Sequence, residues 1–216
     1  MTSNENVAEL ILGSASPARL KTLRAAGIDA TVIVSGVDEM AVVADRPDAL
    51  AGTLARLKAE AVAAQLPTDG PASVPRRLVL GCDSVLGFDG RILGKPTDPA
   101  DASGRWRAMR GRSGVLYTGH CLLDAAAGTR AEQVAAATVH FADLTDDEID
   151  AYVASGEPLH VAGGFTIDGL GGPFVERIEG DPGTVIGLSL PLLRHLLAAL
   201  GIRITELWRI PAPAND

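Results

Sequence analysis

The apolar triplet Leu10-Ile11-Leu12 runs straight into Gly13-Ser14-Ala15-Ser16-Pro17, and this join constrains the fold more than any other stretch. Three aliphatic residues before a small-residue turn read as a short buried strand. Ser16 is a good N-cap, and Pro17 is pre-set for the first helical position. Leu20 and Leu23 then begin an apolar stripe that closes at Gly27. Backbone N–H groups at such a helix start, the Ser14 and Ser16 hydroxyls and Arg19 would together favour an anion, phosphate above all. The same residues also read as an ordinary strand–turn–helix joint with one solvated arginine.

Strand-like and helix-like stretches alternate from there on, which makes this an α/β chain. Residues 30–35 (ATVIVS) are strand-like and lead into Val37-Asp38-Glu39. A helix is predicted over 47–66, with Leu50, Leu54, Leu57 and Ala61 on one face. The turn-rich residues 67–75 read as an exposed, flexible link. Residues 78–82 read as a buried strand that stops at Asp83-Ser84, and Asp89-Gly90 is a strong hairpin signal between 85–88 and 91–93. Asp98 and Pro99 open a helix that turns Ala102, Trp106 and Met109 inward. Residues 114–124 and 133–141 read as a longer hairpin, and Thr145-Asp146-Asp147-Glu148 as the capping box of a helix ending near Gly156. Residues 161–172 alternate strand residues with glycines, and the last strong helix is predicted over 189–200.

Composition narrows the function classes. At 216 residues the chain can bury a sizeable core, and residues 7–210 are expected to form one domain. A net charge of −8 offers no field for nucleic acid or an anionic membrane, although a mononucleotide needs only a local cluster of cations. No apolar run reaches the roughly 18 residues of a membrane span. Cys82 and Cys121 lie far apart without metal-type spacing, and the start Met1-Thr2-Ser3-Asn4-Glu5 lacks the regions of a signal peptide. A reduced, cytoplasmic protein is expected. His120, His140, His160 and His195 show no zinc spacing and read as structural or surface residues. Neither a Gly-x-x-x-x-Gly-Lys-Ser/Thr loop nor a dinucleotide fingerprint is present.

Chemistry-bearing residues gather where strands are expected to end. Asp83 closes an apolar run, so its carboxylate is expected at the mouth of the sheet, where open α/β sheets bind ligands; a turn cap is the plainer reading. Glu39 beside Asp38 follows another strand end, and Lys95 is held between Gly94 and Pro96. Lys58 reads by default as a solvated helix charge. Acids at two strand ends, two or three cations and a helix start suit a metal-bound polyphosphate: the acids hold the metal, and Lys and Arg take the remaining charge.

The order of these islands resembles the Maf family of nucleoside triphosphate pyrophosphatases. The matching pieces are Ser14-Ala15-Ser16-Pro17-x-Arg19, Val37-Asp38-Glu39, Leu57-Lys58-Ala59, Gly81-Cys82-Asp83-Ser84, Gly94-Lys95-Pro96 and Thr118-Gly119, then Ser155-Gly156-Glu157-Pro158, residues 162–169 (AGGFTIDG) and Gly187-Leu188-Ser189-Leu190-Pro191. The resemblance implies a Maf/inosine-triphosphatase-like mixed sheet in two lobes around a central cleft. It implies hydrolysis of a nucleoside triphosphate to the monophosphate plus pyrophosphate with Mg²⁺ or Mn²⁺, in a chain that can be a homodimer. Asp83 matches the catalytic carboxylate, while Ser14, Arg19, Glu39, Lys58 and Lys95 match residues lining the phosphate end, with Asp83 and Glu39 as the metal-binding acids. The chain departs from pyrimidine-type members at Ala18, Ser84 and Asp168, where those carry Arg, Thr and Gln. Asp168, when ionised, only accepts hydrogen bonds and so favours a base edge that offers donors, guanine first; it reads otherwise as a cap of the following glycine turn. The older family name, septum formation inhibitor, gives the alternative of a non-catalytic nucleotide-binding regulator of cell division.

Overall fold

The computed structural model describes residues 8–67 and 76–209, so most of the link expected at 67–75 lies outside the described residues. The aliphatic run before Gly13 forms β1 (Ala8–Leu12), which lies parallel between β2 (Ala30–Val32) and β3 (Arg76–Phe88). Beyond β3 the sheet continues antiparallel through β5 (Ser113–Asp124), β6 (Arg130–Phe141) and β7 (Val175–Glu179). The short β4 (Arg91–Leu93) folds back on β3 through Asp89 and Gly90, both at positive φ as the predicted turn requires. The result is a mixed seven-stranded sheet in the order β2-β1-β3-β5-β6-β7, with β4 paired to β3.

Helix starts follow their caps. Ser16 accepts the Arg19 N–H at the start of α1 (Pro17–Ala25). Asp98 accepts the Asp101 N–H at the start of α3 (Pro99–Met109), whose buried residues Ala102, Trp106 and Met109 are those predicted. The capping box at Thr145 and Glu148 opens α4 (Asp146–Ala154). A short α5 (Pro182–Ile186) and α6 (Leu190–Ala199) follow, and α2 (Pro47–Ala63) is the longest of the described helices. Among the described residues no helix is long and apolar enough to cross a membrane.

Three expectations are corrected. First, β3 does not stop at Asp83-Ser84 but continues to Phe88, because β5 pairs with it along 78–87. On its other edge β3 pairs with β1 only as far as Leu80 and with β4 only from Leu86. Residues 81–85 are therefore without a strand on that side, and Asp83 lies in the middle of the gap. Second, of the face predicted for α2 only Leu54 is buried, and Leu50, Leu57 and Ala61 are not; the buried face carries Ala51, Leu54, Ala55, Lys58, Ala59 and Val62. The alanines let the helix lie directly on the sheet, where a Cβ on Gly81 would come within 2.7 Å of Ala59 N and one on Gly119 within 2.8 Å of Gly52 N. Lys58 is thus buried rather than solvated. Third, residues 161–172 form no strand but 3-10 turns at Ala162–Gly164 and Gly172–Phe174.

Among the described residues three apolar clusters lie along the long central strands. One packs Leu78 and Leu80 of β3 with Leu10, Leu12 and Leu193, a second packs Leu86 and Phe88 with Trp106 and Phe141, and a third seats Ala55, Ala59 and Val62 of α2 on Ile11, Val79 and Cys121. In the second, Phe141, Tyr152 and Phe174 meet the Trp106 ring edge-on at 5.5, 5.5 and 6.0 Å, pairs worth about 0.5–1.5 kcal/mol each. The Trp106 indole N–H donates to the Gly164 carbonyl at 2.8 Å, and Gly163 N–H donates to the Gly94 carbonyl at 3.0 Å. These bonds fix the Gly94-Lys95-Pro96 turn against the second core.

Candidate active site

A cavity of about 1030 Å³ opens beside the unpaired stretch of β3, lined by residues from both halves of the molecule. Neighbours on a strand face opposite ways, so Asp83 and Ser84 serve two different clusters. On the α2 side the Lys58 ammonium meets Asp83 Oδ1 and Glu39 Oε1, each at 2.6 Å. Glu39 reaches it from a 3-10 turn, Glu39–Ala41, capped by Asp38. Asp83 Oδ2 has no hydrogen-bond partner among the described residues.

Ser84 belongs to the other cluster. The Arg19 guanidinium donates to Ser14 Oγ at 2.8 Å, Cys82 O at 3.0 Å, Gly187 O at 2.8 Å and Ser84 Oγ at 3.0 Å. Ser84 Oγ also lies 2.8 Å from Thr118 Oγ1, which donates to Thr184 O at 2.7 Å. Arg19 is buried, yet every acceptor it has is neutral. A buried guanidinium that is hydrogen-bonded to no carboxylate favours an anion in the adjoining space.

The two acids on Lys58 are pushed in opposite directions. Burial drives the Asp83 carboxyl above the ordinary range and Glu39 adds to the rise, and together these outweigh Lys58 and Arg19. Burial also raises Glu39, but its hydrogen bond and charge contact with Lys58, helped by Lys95 and Arg19, hold it below the ordinary value. One acid is tuned to take a proton and the other to stay ionised, the usual mark of divided acid–base roles. Neighbouring Cys82 is no rival nucleophile: burial pushes its thiol up to about 11.

Lys95, Ala18 and Asp168 line the same cavity. Lys95 is exposed on its turn, close enough for its charge to act on Glu39. Asp168 is exposed too, 3.7 Å from Lys21 of α1. It does not hold the glycine turn that follows it. That turn is held by Glu157, whose carboxylate accepts the Leu170 and Gly171 N–H groups at 2.9 and 3.0 Å. The nine residues singled out from sequence thus all touch one cavity, six of them in two hydrogen-bonded clusters. Thr118 and Gly187 stand in family-matching pieces of the sequence without a role of their own, and Thr184 stands in none; the structure brings all three to the Arg19 cluster.

Carboxylate oxygens are the donors a hard divalent cation takes, and Asp83 and Glu39 both turn one towards the same Lys58 ammonium. Among the described residues no group of three or more His, Cys, Asp or Glu is placed to hold a metal. Two carboxylates suffice for Mg²⁺, which is commonly held by one or two together with substrate phosphates.

The chain is similar to known proteins. The family of Maf-like proteins matches this chain over residues 9–200. A Salinispora tropica protein named nucleoside triphosphate pyrophosphatase is 68% identical over 199 residues, which cover 92% of this chain and 87% of that one. A Streptomyces coelicolor protein of the same name is 58% identical over 207 residues, 96% of each chain. Among solved structures, the Staphylococcus aureus Ham1 protein is similar with a TM-score of 0.39 and 15% identity, over 62% of this chain and 72% of that one.

Proposed function

The chain belongs to the family of Maf-like proteins, and on that premise we propose that it hydrolyses a nucleoside triphosphate to the monophosphate and pyrophosphate beside Asp83. The observation that carries the site assignment is the pair of acids on Lys58, one raised and one lowered, next to a buried arginine whose hydrogen-bond acceptors are all neutral. Lys58 engages Asp83 Oδ1 and leaves Oδ2 to accept a proton from water. The water oxygen bonds to the α-phosphorus as that atom's bond to the bridging oxygen breaks. Pyrophosphate departs with that oxygen, and the water's proton passes to Asp83. Arg19, Lys95 and Lys58 balance charge on the phosphates and on the leaving group.

Asp83 and Glu39 would hold a Mg²⁺ or Mn²⁺ ion, which neutralises phosphate charge when bound. Ala18, Ser84 and Asp168 are assigned to substrate contact, with Asp168 towards the base. The same reading treats residues 7–210 as one cytoplasmic unit, on the ground that Cys82 and Cys121 are both free thiols. A homodimer is the assembly to look for by light scattering.

The test is a panel of ordinary, methylated and deaminated triphosphates with Mg²⁺ or Mn²⁺, scored for pyrophosphate against orthophosphate. Stoichiometric pyrophosphate supports the reaction as written. Orthophosphate would place the attack on the γ-phosphorus, and nucleotide binding without turnover would make the protein a regulator.

A further inference from the structure

Glu157, at the start of the 3-10 turn Glu157–His160 after α4, gathers four hydrogen-bond donors. Its Oε1 accepts from the Tyr152 hydroxyl at 2.9 Å, the Thr166 hydroxyl at 2.6 Å and Gly171 N–H at 3.0 Å, and its Oε2 accepts from Leu170 N–H at 2.9 Å. The loop closes on it tightly. A Cβ on Gly169 would come within 2.9 Å of the Glu157 carboxyl carbon, and one on Gly171 within 2.9 Å of the Thr166 carbonyl oxygen. Burial pushes the Glu157 carboxyl up, but the Thr166 hydroxyl, both backbone N–H groups and Tyr152 bring it below the ordinary value, so it is ionised and acts only as an acceptor. None of the phosphate-end residues touches this network.

The loop that Glu157 ties down presents Thr166, Ile167 and Asp168 to the cavity. Asp168 itself contributes no bond to the loop's shape, and its contact with Lys21 is long and exposed. Its position therefore rests on the backbone, and the backbone rests on Glu157. We infer that Glu157 is a positioning residue for base selection: it holds residues 166–171 so that Asp168 meets the nucleobase, and leaves the phosphate chemistry to the Lys58 and Arg19 clusters. The inference rests on the reading of the cavity as a nucleoside triphosphate site.

Glu157→Gln tests it. An amide offers one acceptor oxygen, so whichever way it turns, its NH₂ faces either Leu170 N–H or Gly171 N–H and loses that bond. Tyr152→Phe is the milder companion: it keeps the ring in its aromatic cluster and removes only the hydroxyl donor. Each variant is assayed for kcat and KM with GTP, ATP, UTP and CTP, and the Leu170 and Gly171 amides are followed by hydrogen exchange. The expected result is faster exchange at both amides. In kinetics, KM for the preferred base should rise by about tenfold or more while kcat holds within about threefold, so that the ranking of bases flattens. Tyr152→Phe should move the same way by less.

Unchanged exchange, an equal loss on all four bases, a fall in kcat at constant KM, or a wild-type enzyme indifferent to the base would each overturn the inference. Absence of turnover in the wild type would instead defeat the hydrolase reading. The exchange measurement and nucleotide binding by calorimetry would then still decide whether Glu157 holds the loop and the base preference.

Discussion

Gly81→Ala should disable the site from a position that touches no substrate. The new methyl would lie 2.7 Å from Ala59 N and closer still to the Ala55 carbonyl oxygen, both backbone atoms of α2 that cannot turn aside. Ordinary contact begins near 3.4 Å, so the helix must retreat from β3 by about 1 Å, and Lys58, the residue before Ala59, retreats with it. Two effects follow. Overpacking of this kind costs about 1–3 kcal/mol, and for a chain of this size each kcal/mol lowers Tm by about 2–4 °C. Displacing a catalytic constellation by about 1 Å costs on the order of 10²-fold in rate, so kcat should fall by that factor even where the protein is fully folded. The assay is heat unfolding by circular dichroism together with pyrophosphate release measured well below both transitions. A soluble Gly81→Ala protein with wild-type Tm and kcat would refute the claim that helix-on-sheet contact sets the Lys58–Asp83 distance.

The remaining expectations are briefer. Gly104→Ala, in the interior of α3 with nothing within 4 Å of the new methyl, should do the opposite and raise stability by about 0.5–1 kcal/mol in the same unfolding assay. Asp83→Asn should fold and lose about 10²-fold or more in kcat, and near-normal pyrophosphate release would return Asp83 to a structural role. Because burial raises the Asp83 pKa, the acid limb of kcat/KM should lie above the pH of an ordinary aspartate, and Lys58→Met should move it higher still. His120 accepts the Ser189 N–H at 2.9 Å and faces the Thr118 carbonyl at 3.0 Å, and burial lowers its pKa from 6.5 to about 4. The unfolded chain therefore binds the extra proton between those values: stability from His120 is full above pH 6.5 and falls as pH drops towards 4, by up to about 3 kcal/mol. A pH series of Tm for wild type and His120→Gln should show that slope in the former and not in the latter.

What was legible in the sequence was local. The caps at Ser16, Asp98 and Thr145 and the Asp89-Gly90 turn depend on neighbours three residues away or fewer, and the structure has all of them. The extent of β3 was not legible, because a strand ends where its partner ends, and β5 pairs with it for four residues past Asp83. The face of α2 was misjudged because leucine outweighs alanine in any hydrophobic pattern. Where a helix lies on glycine-bearing strands, small size decides instead, and that choice buried Lys58. β7 escaped notice because its sequence, Val-Glu-Arg-Ile-Glu, is charged and it lies at the sheet edge. That the chemistry-bearing side chains share one phosphate site was legible from their types and order, but their division into a Lys58 and an Arg19 cluster was not, since Arg19 joins Gly187 across 168 positions of chain and Glu157 draws its partners from two separate segments.

The gap along residues 81–85 of β3 has the dimensions of a missing piece of strand, flanked by β1 on one side and β4 on the other. An open edge ordinarily invites a foreign strand, and proteins guard against it with charge, twist or cover. Here the opening is too short for a stranger to align in, and the Arg19 guanidinium caps the Cys82 carbonyl within it, much as a neighbouring amide would have done. Cavity wall and edge cover are therefore one construction. Arg19→Ala would remove an anion contact and at the same stroke leave a backbone carbonyl without its donor, so its loss should register in stability as well as in turnover.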